Sequence, residues 1–231
     1  RQLAQFDLRI EMPNGVTLVY IDDELASLMK AAGVDTIFLA IESGSDYVLR
    51  DIIKKPLKIR KAKPVIEALQ RHKIFVQAFF IIGFPGEREA DRQQTLTFIR
   101  EMGIDWSFFN FATPLRGSEL HRICKVNGWL DEENQGIGDV DMTRYVIRAP
   151  GIDPDHITAQ IYEMNLEANF VNNYRMRIGD YETAVRCFKE VVDRHPRQPF
   201  AHYFLAAARD KLEIGTESAV ENRRRYIELI A

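Results

Sequence analysis

Three apolar runs recur along this chain, and each stops at a polar or glycine-rich turn. They read TIFLAI at 36–41, FVQAFFII at 75–82 and DWSFFNFA at 105–112, followed by ESGS, GFPGE and TPLRGS. Little of the alternation expected of a half-exposed strand is present, so the runs predict strands covered on both faces, the habit of parallel strands joined by helical crossovers. The segments between them carry helical patterns. Asp22 or Asp23 caps a helix running to about Ala32, with Leu25, Leu28, Met29 and Ala32 at helical spacing and Gly33 at its end. Further helices are predicted over Ser45–Ile53, over Lys61–His72 with Val65, Ile66 and Leu69 inward, over Glu89–Met102 with Leu96, Phe98 and Ile99 inward, and from a Ser118 cap to about Val126. A strand-to-strand spacing of about 35 residues matches a βαβ unit. The pattern therefore predicts an α/β fold, part of a (β/α) barrel or a doubly wound sheet. In either, ligands collect where the strands end. Three such ends, each with a polar or glycine-rich loop, predict one shared ligand site.

The flanks read differently. Phe6–Met12 has strand character and Pro13-Asn14-Gly15 is a turn. Asn127–Pro150 is irregular, with room for one short strand at Tyr145–Arg148. From Pro154 the pattern is helical only, with Ile157, Ile161, Met164, Ala168 and Val171 on one expected face of a long helix. The chain thus divides into an α/β region at 1–130, an irregular connector at 131–153 and a helical region at 154–231. A net charge of −3 argues against a generic nucleic-acid binder, and no apolar stretch is long enough to cross a bilayer. Two distant cysteines, Cys124 and Cys187, read as small apolar groups of a reducing cytosolic compartment, not as a disulfide. No metal site is predicted: the five histidines lack ligand spacing. The basic runs KKPLKIRKAK at 54–63 and Arg223–Arg225 read as solvated helix faces.

In order, AGVDTIFLAIESGS, FFIIGFPGE and NFATPLRGSEL resemble the later barrel strands of the radical S-adenosylmethionine (radical SAM) enzymes, over roughly Phe6 to Leu130. The resemblance implies a partial TIM-like barrel and a pocket for S-adenosylmethionine (SAM). It implies that Ile81 and Ile82 form an apolar shelf for adenine, that Gly83 lets main chain approach, and that backbone at Phe111–Thr113 reads the adenine edge. Glu42 and Ser43 stand where the family places polar contacts to the ribose or methionyl end. Glu87 is expected to brace its loop by accepting backbone N–H bonds. MPNGVTLVYIDDELASLMKAAGV resembles the subset with an N-terminal cobalamin domain, many of whose members transfer methyl groups, while an ordinary turn before a capped helix accounts for it equally.

The helical tail resembles tetratricopeptide repeats. Gly179, Tyr181, Ala184, Phe188, Val191 and Pro196 fall at that repeat's offsets; a second unit begins at Phe200, Tyr203, Leu205 and Ala206, with Gly215 and Ala219 out of register. A structural cap on the barrel, or a grip for a protein partner, is the implied role. The family's chemistry needs a [4Fe–4S] cluster on a CxxxCxxC loop, and no such motif occurs in these residues. The expectation is a fragment of a longer radical SAM enzyme, beginning near its third strand. It would supply part of the SAM pocket, assign no catalytic residue of its own and be inactive alone, with an open sheet edge prone to self-association or covered by the tail. The rival expectation is a non-catalytic scaffold that binds a protein through its helices.

Overall fold

The computed structural model describes residues 1–130, 144–212 and 216–230. Residues 131–143, most of the expected connector, and Gly215 lie outside the described residues. The chain divides into two compact units, residues 1–165 and 166–231.

The first unit is built on a parallel sheet of three strands in sequential order, β1 (Thr36–Glu42), β2 (Phe75–Ile82) and β3 (Trp106–Phe111). Between and around them run α1 (Asp23–Ala31), a π-helical turn at Val48–Ile52, α2 (Ala62–Arg71), α3 (Glu89–Met102) and α4 (Glu119–Val126). Local chemistry explains the boundaries. The Asp22 side chain accepts from Leu25 N–H to cap α1, and Ser118 does the same for His121 N–H at α4. Gly103, in the left-handed region at φ 66°, closes α3.

The α2 helix packs against β2 with α1 and α3 beside it, so these three helices share one face of the sheet. Sequential strand order with right-handed crossovers requires this. The residues that point to them, Ile37, Leu39, Ile41, Val76, Ala78, Phe80 and Ile82, are fully buried. Their alternates Phe38, Ala40, Phe75, Gln77, Phe79 and Ile81 are only half-buried. On this second face the rings of Phe38, Phe79 and Phe108 form a compact triangle with centroids 5.4–5.9 Å apart. The expectation of cover on both faces is thus corrected. Apolar residues occupy both faces, but helices bury one and the other, with its phenyl cluster, is only half-buried.

No strand forms at Phe6–Met12. Its apolar residues Phe6 and Leu8 are exposed, and Arg9 and Glu11 pair in solvent, so no buried layer holds the segment in register. Val16 instead makes the one parallel bridge to Leu39, donating to Phe38 O at 2.7 Å and accepting from Ala40 N–H at 3.0 Å. The chain's own N-terminal segment therefore covers part of the β1 edge. Likewise Tyr145–Arg148 is not a strand but a single antiparallel bridge, Ile147 to Leu130. Beyond it lies α5 (Pro154–Leu166), which buries Ile157 and Met164.

The second unit opens with a π-helical turn at Glu167–Val171, followed by α6 (Tyr174–Arg177), α7 (Tyr181–Arg194), α8 (Pro199–Lys211) and α9 (Thr216–Ile230). The change from α to π winding rotates the expected apolar stripe, and Val171 is 63% exposed where the sequence pattern placed it inward. The helices pack in sequence, α7 on α8 and α8 on α9. Ala184, Ala201, Ala206 and Ala208 are fully buried and let backbones approach, while Phe170, Phe188 and Phe204 fill the middle with centroids 5.7–5.9 Å apart.

Candidate functional site

Parallel pairing puts the carboxyl ends of all three strands on one side of the sheet. The loops 42–45, 83–87 and 112–117 therefore leave the sheet together, as a common site requires.

At the end of β1 the register slips between Ala40 and Glu42, and Glu42 sits in the left-handed region at φ 72°. A β-bulge re-aims a side chain, and a non-glycine residue held at positive φ stores strain of the kind found at ligand sites. The Glu42 carboxylate meets Lys55 Nζ at 3.1 Å, each side chain about a fifth exposed. One ammonium leaves most of the carboxylate's acceptor capacity unused. Ser43 behaves differently. It is fully buried, its hydroxyl accepts from Ser45 N–H at 3.1 Å and lies 3.4 Å from Thr95 Oγ1. Gly44 N–H donates to Thr95 Oγ1 at 3.0 Å, and the Ser45 hydroxyl donates to Asp91 Oδ1 at 2.7 Å. A Cβ on Gly44 would fall 2.6 Å from the Thr95 backbone, so only glycine lets this loop lie on α3. The Ser43 side chain, expected to touch ligand, instead anchors the loop.

At the end of β2 the bracing role expected of Glu87 is present: Gly83 N–H donates to its Oε2 at 2.6 Å. Burial raises the Glu87 carboxyl to about 7, against the lowering pull of Gly83 N–H and of Arg92, whose Nη1 is 3.7 Å away. Glu89 takes Arg92 Nη2 at 3.0 Å and Gln93 Nε2 at 3.0 Å, and also the Gln160 amide of α5; hydrogen bonds from Gln93 and Gln160 hold it near 2. Gly83 carries a correction. A Cβ there would lie 2.7 Å from Tyr145 Cε2 and 3.1 Å from Ile157 Cγ2, and the Tyr145 hydroxyl donates to Gly83 O at 2.6 Å. The glycine, at φ 93°, admits the chain's own tyrosine on that side. Ile82 O is also taken, by Ala112 N–H at 2.8 Å. The Ile82 side chain is buried under the helices, so it cannot serve as a shelf; Ile81, half-buried on the other face, keeps that option.

At the end of β3 the Thr113 hydroxyl donates to Phe111 O at 3.1 Å, and Thr113 O accepts from Leu115 N–H at 2.9 Å. The Phe111 ring lies 5.8 Å from Tyr145, in an apolar cluster with Cys124, Ile147 and Ile157. Of the seven residues singled out from sequence, Glu42 and Ile81 thus present unused side-chain surface at the strand ends. Ser43, Ile82, Phe111 and Thr113 have theirs committed, and Gly83 has its main chain committed. Sequence reasoning missed Lys55, read as part of a solvated basic run, and Tyr145, read as part of an irregular segment. The sequence offers no local signal for either, because their partners lie 13 and 62 residues away.

A [4Fe–4S] cluster does not fit the cysteines present. Neither cysteine is in a disulfide, Cys124 is buried, and burial raises its pKa away from the thiolate that iron needs. Among the described residues no group of three His, Cys, Asp or Glu stands together. Among those residues, too, no helix is long and apolar enough to cross a membrane.

Residues 6–99 match the Radical SAM superfamily. The chain is 32% identical over 176 residues to cytidylyl-2-hydroxyethylphosphonate methyltransferase of Streptomyces wedmorensis, covering 73% of the chain and 33% of that protein. It is 30% identical over 102 residues to bacteriochlorophyllide d C-12(1)-methyltransferase of Chlorobaculum tepidum, covering 44% and 22%. With a tRNA-2-methylthio-N(6)-dimethylallyladenosine synthase of Aromatoleum aromaticum it shares 34% over 168 residues, covering 64% and 37%. The chain thus spans between about a fifth and two fifths of the length of these relatives. It carries part of a radical SAM domain.

Proposed function

With that membership as premise, we propose that the chain is the later part of a radical SAM enzyme that transfers a methyl or methylthio group after reductive cleavage of SAM. Its strands are the closing strands of a (β/α) barrel. Helices on one face and a cluster of phenyl rings on the other are what a barrel wall presents to its outside and its lumen. The observation that carries the reading is the alignment of three carboxyl ends in a segment with radical SAM sequence. Of the SAM pocket, Glu42 would accept from hydroxyl or ammonium groups, Ile81 would pack on the adenine, and main chain near Phe111–Thr113 would complete the edge. The cluster would supply the electron for cleavage, and its cysteines must come from sequence outside these residues. Cobalamin as a second cofactor rests on the MPNGVTLVYIDDELASLMKAAGV resemblance alone. The helical unit, with tetratricopeptide-like offsets, is the surface for any protein partner.

The first test is the reading frame around this stretch. A CxxxCxxC within the preceding hundred or so residues is expected, and its absence would turn the reading towards a helical scaffold that has lost catalysis. The second is calorimetric titration of SAM into the whole enzyme and its Glu42→Gln variant. Loss of about one charge-assisted hydrogen bond weakens binding by roughly tenfold or more; equal affinities would remove Glu42 from the pocket.

A further inference from the structure

A cleft is lined by residues outside the strand-end site. It has a volume of about 650 Å³ and runs between residues 18–19 and the start of α2. Its floor includes the buried side chains of Leu18, Leu57 and Val65, and its rim carries Lys58, Arg60 and Lys61. No acidic residue lines it.

These three cations are part of a segment, residues 54–63, with six basic side chains and no acid, in a chain of net charge −3. The acids nearby are engaged elsewhere. Glu42 takes Lys55, Glu67 stands 4.0 Å from Lys63, and Asp46 Oδ1 accepts from Ile59 N–H at 3.0 Å. Among the described residues Lys58, Arg60 and Lys61 enter no ion pair. The helix beside them is charged against its own dipole. It begins at Ala62 with Lys61 as N-cap, no side-chain cap and no acid in its first turn. Positive charge at a helix amino end is unfavourable, where an anion would be favourable. The Asp46 carboxylate on Ile59 N–H, at the head of the 3-10 turn that leads into α2, offsets only part of this charge.

We infer that this cleft binds a small organic phosphate, its anionic head held by Lys58, Arg60 and Lys61 and its body on Leu18, Leu57 and Val65. A guanidinium beside two ammonium groups suits a dianionic phosphate, the arginine offering a forked pair of donors. The apolar floor suits a compact molecule rather than a polymer, which would need a longer basic stripe to follow its backbone. The inference does not depend on the radical SAM reading, since it uses no residue of the strand-end site.

The test is calorimetric titration of the chain with ADP, pyrophosphate and adenosine, repeated on R60A/K61A after circular dichroism has verified its fold. Both substituted side chains are exposed, so the fold is expected to persist. ADP should bind saturably and more tightly than pyrophosphate, and R60A/K61A should weaken ADP by about tenfold or more while leaving unchanged any binding of adenosine, which the adenine shelf proposed at Ile81 would take. Raised salt should weaken ADP further. The inference is overturned if ADP shows no saturation by about 1 mM, if the double variant weakens adenosine as much as ADP, or if the double variant binds ADP unchanged. It is equally overturned if single-stranded RNA binds more tightly than ADP and loses affinity in the same variant, which would make this a polynucleotide surface.

Discussion

The carboxylate that ends β1 and the one that follows β2 both belong to the carboxyl end of one sheet. Glu42 keeps about a fifth of its side chain in water, faces a lysine, and forces its own backbone to φ 72°. Glu87 has no exposed side-chain surface, receives Gly83 N–H at 2.6 Å, and sits beneath Tyr145 and Arg92. In the first case the backbone is strained to present a charge. In the second the charge is desolvated to hold a backbone. An acid at a strand end is therefore not a ligand contact by position alone; its environment decides whether it faces outward chemistry or inward architecture.

That contrast can be broken from the β2 side first. Gly83→Ala would place a Cβ against Tyr145 at 2.7 Å in a conformation that L-residues resist. A loss of about 2–4 kcal/mol in chemical denaturation is expected, and a neutral result would mean the Tyr145 lid does not form.

Glu87 gives the next largest effect, and it depends on pH. Its folded pKa, about 7, lies above the ordinary value of 4.5, so the folded chain binds more protons between these values. Its contribution is fully present below about pH 4.5 and is lost as pH rises through about 7. Glu87→Gln cannot ionise and should gain on the parent by about 2–3 kcal/mol between pH 5 and pH 8. A difference that stays flat with pH would show the carboxylate to be solvated.

Tyr145→Phe removes one hydroxyl from Gly83 O and should cost about 1–1.5 kcal/mol, with the ring still packed on the glycine. Glu42→Gln sharpens the comparison from the other side. It should change stability by only about 0.5 kcal/mol, because the Lys55 pair is partly solvated. If Glu42 contacts SAM as proposed, its larger consequence is on SAM binding by the whole enzyme. A stability loss as large as that of Gly83→Ala would make Glu42 a brace like Glu87 and end the distinction.

The strands, α1 to α4 and the caps at Asp22 and Ser118 were legible because each rests on a local pattern. Apolar runs, an Asp or Ser before a helix and a glycine after it act within a few residues. The edge pairing was not legible. Phe6–Met12 has strand-like residues, yet a strand needs a buried layer as well as a propensity, and the bridge formed at Val16 instead. Val171 had the right spacing for burial and lost it to a π turn. In the site, the bracing by Glu87 spans four residues and was readable. The use of Ser43 to anchor its loop depends on Thr95, 52 residues on, and was not.

By itself the sequence determined that three strands would lie parallel with helices between them, that their loops would carry glycine and acid, and that the segment is radical SAM-like. Those are properties of neighbouring residues and of the period at which they repeat. Only the tertiary structure decided which strand-end groups remain available. It set Tyr145 on Gly83, Lys55 on Glu42 and Thr95 on the loop that follows β1. A polar group's availability is a matter of what surrounds it in space, and contacts made across dozens of residues leave no trace in local pattern.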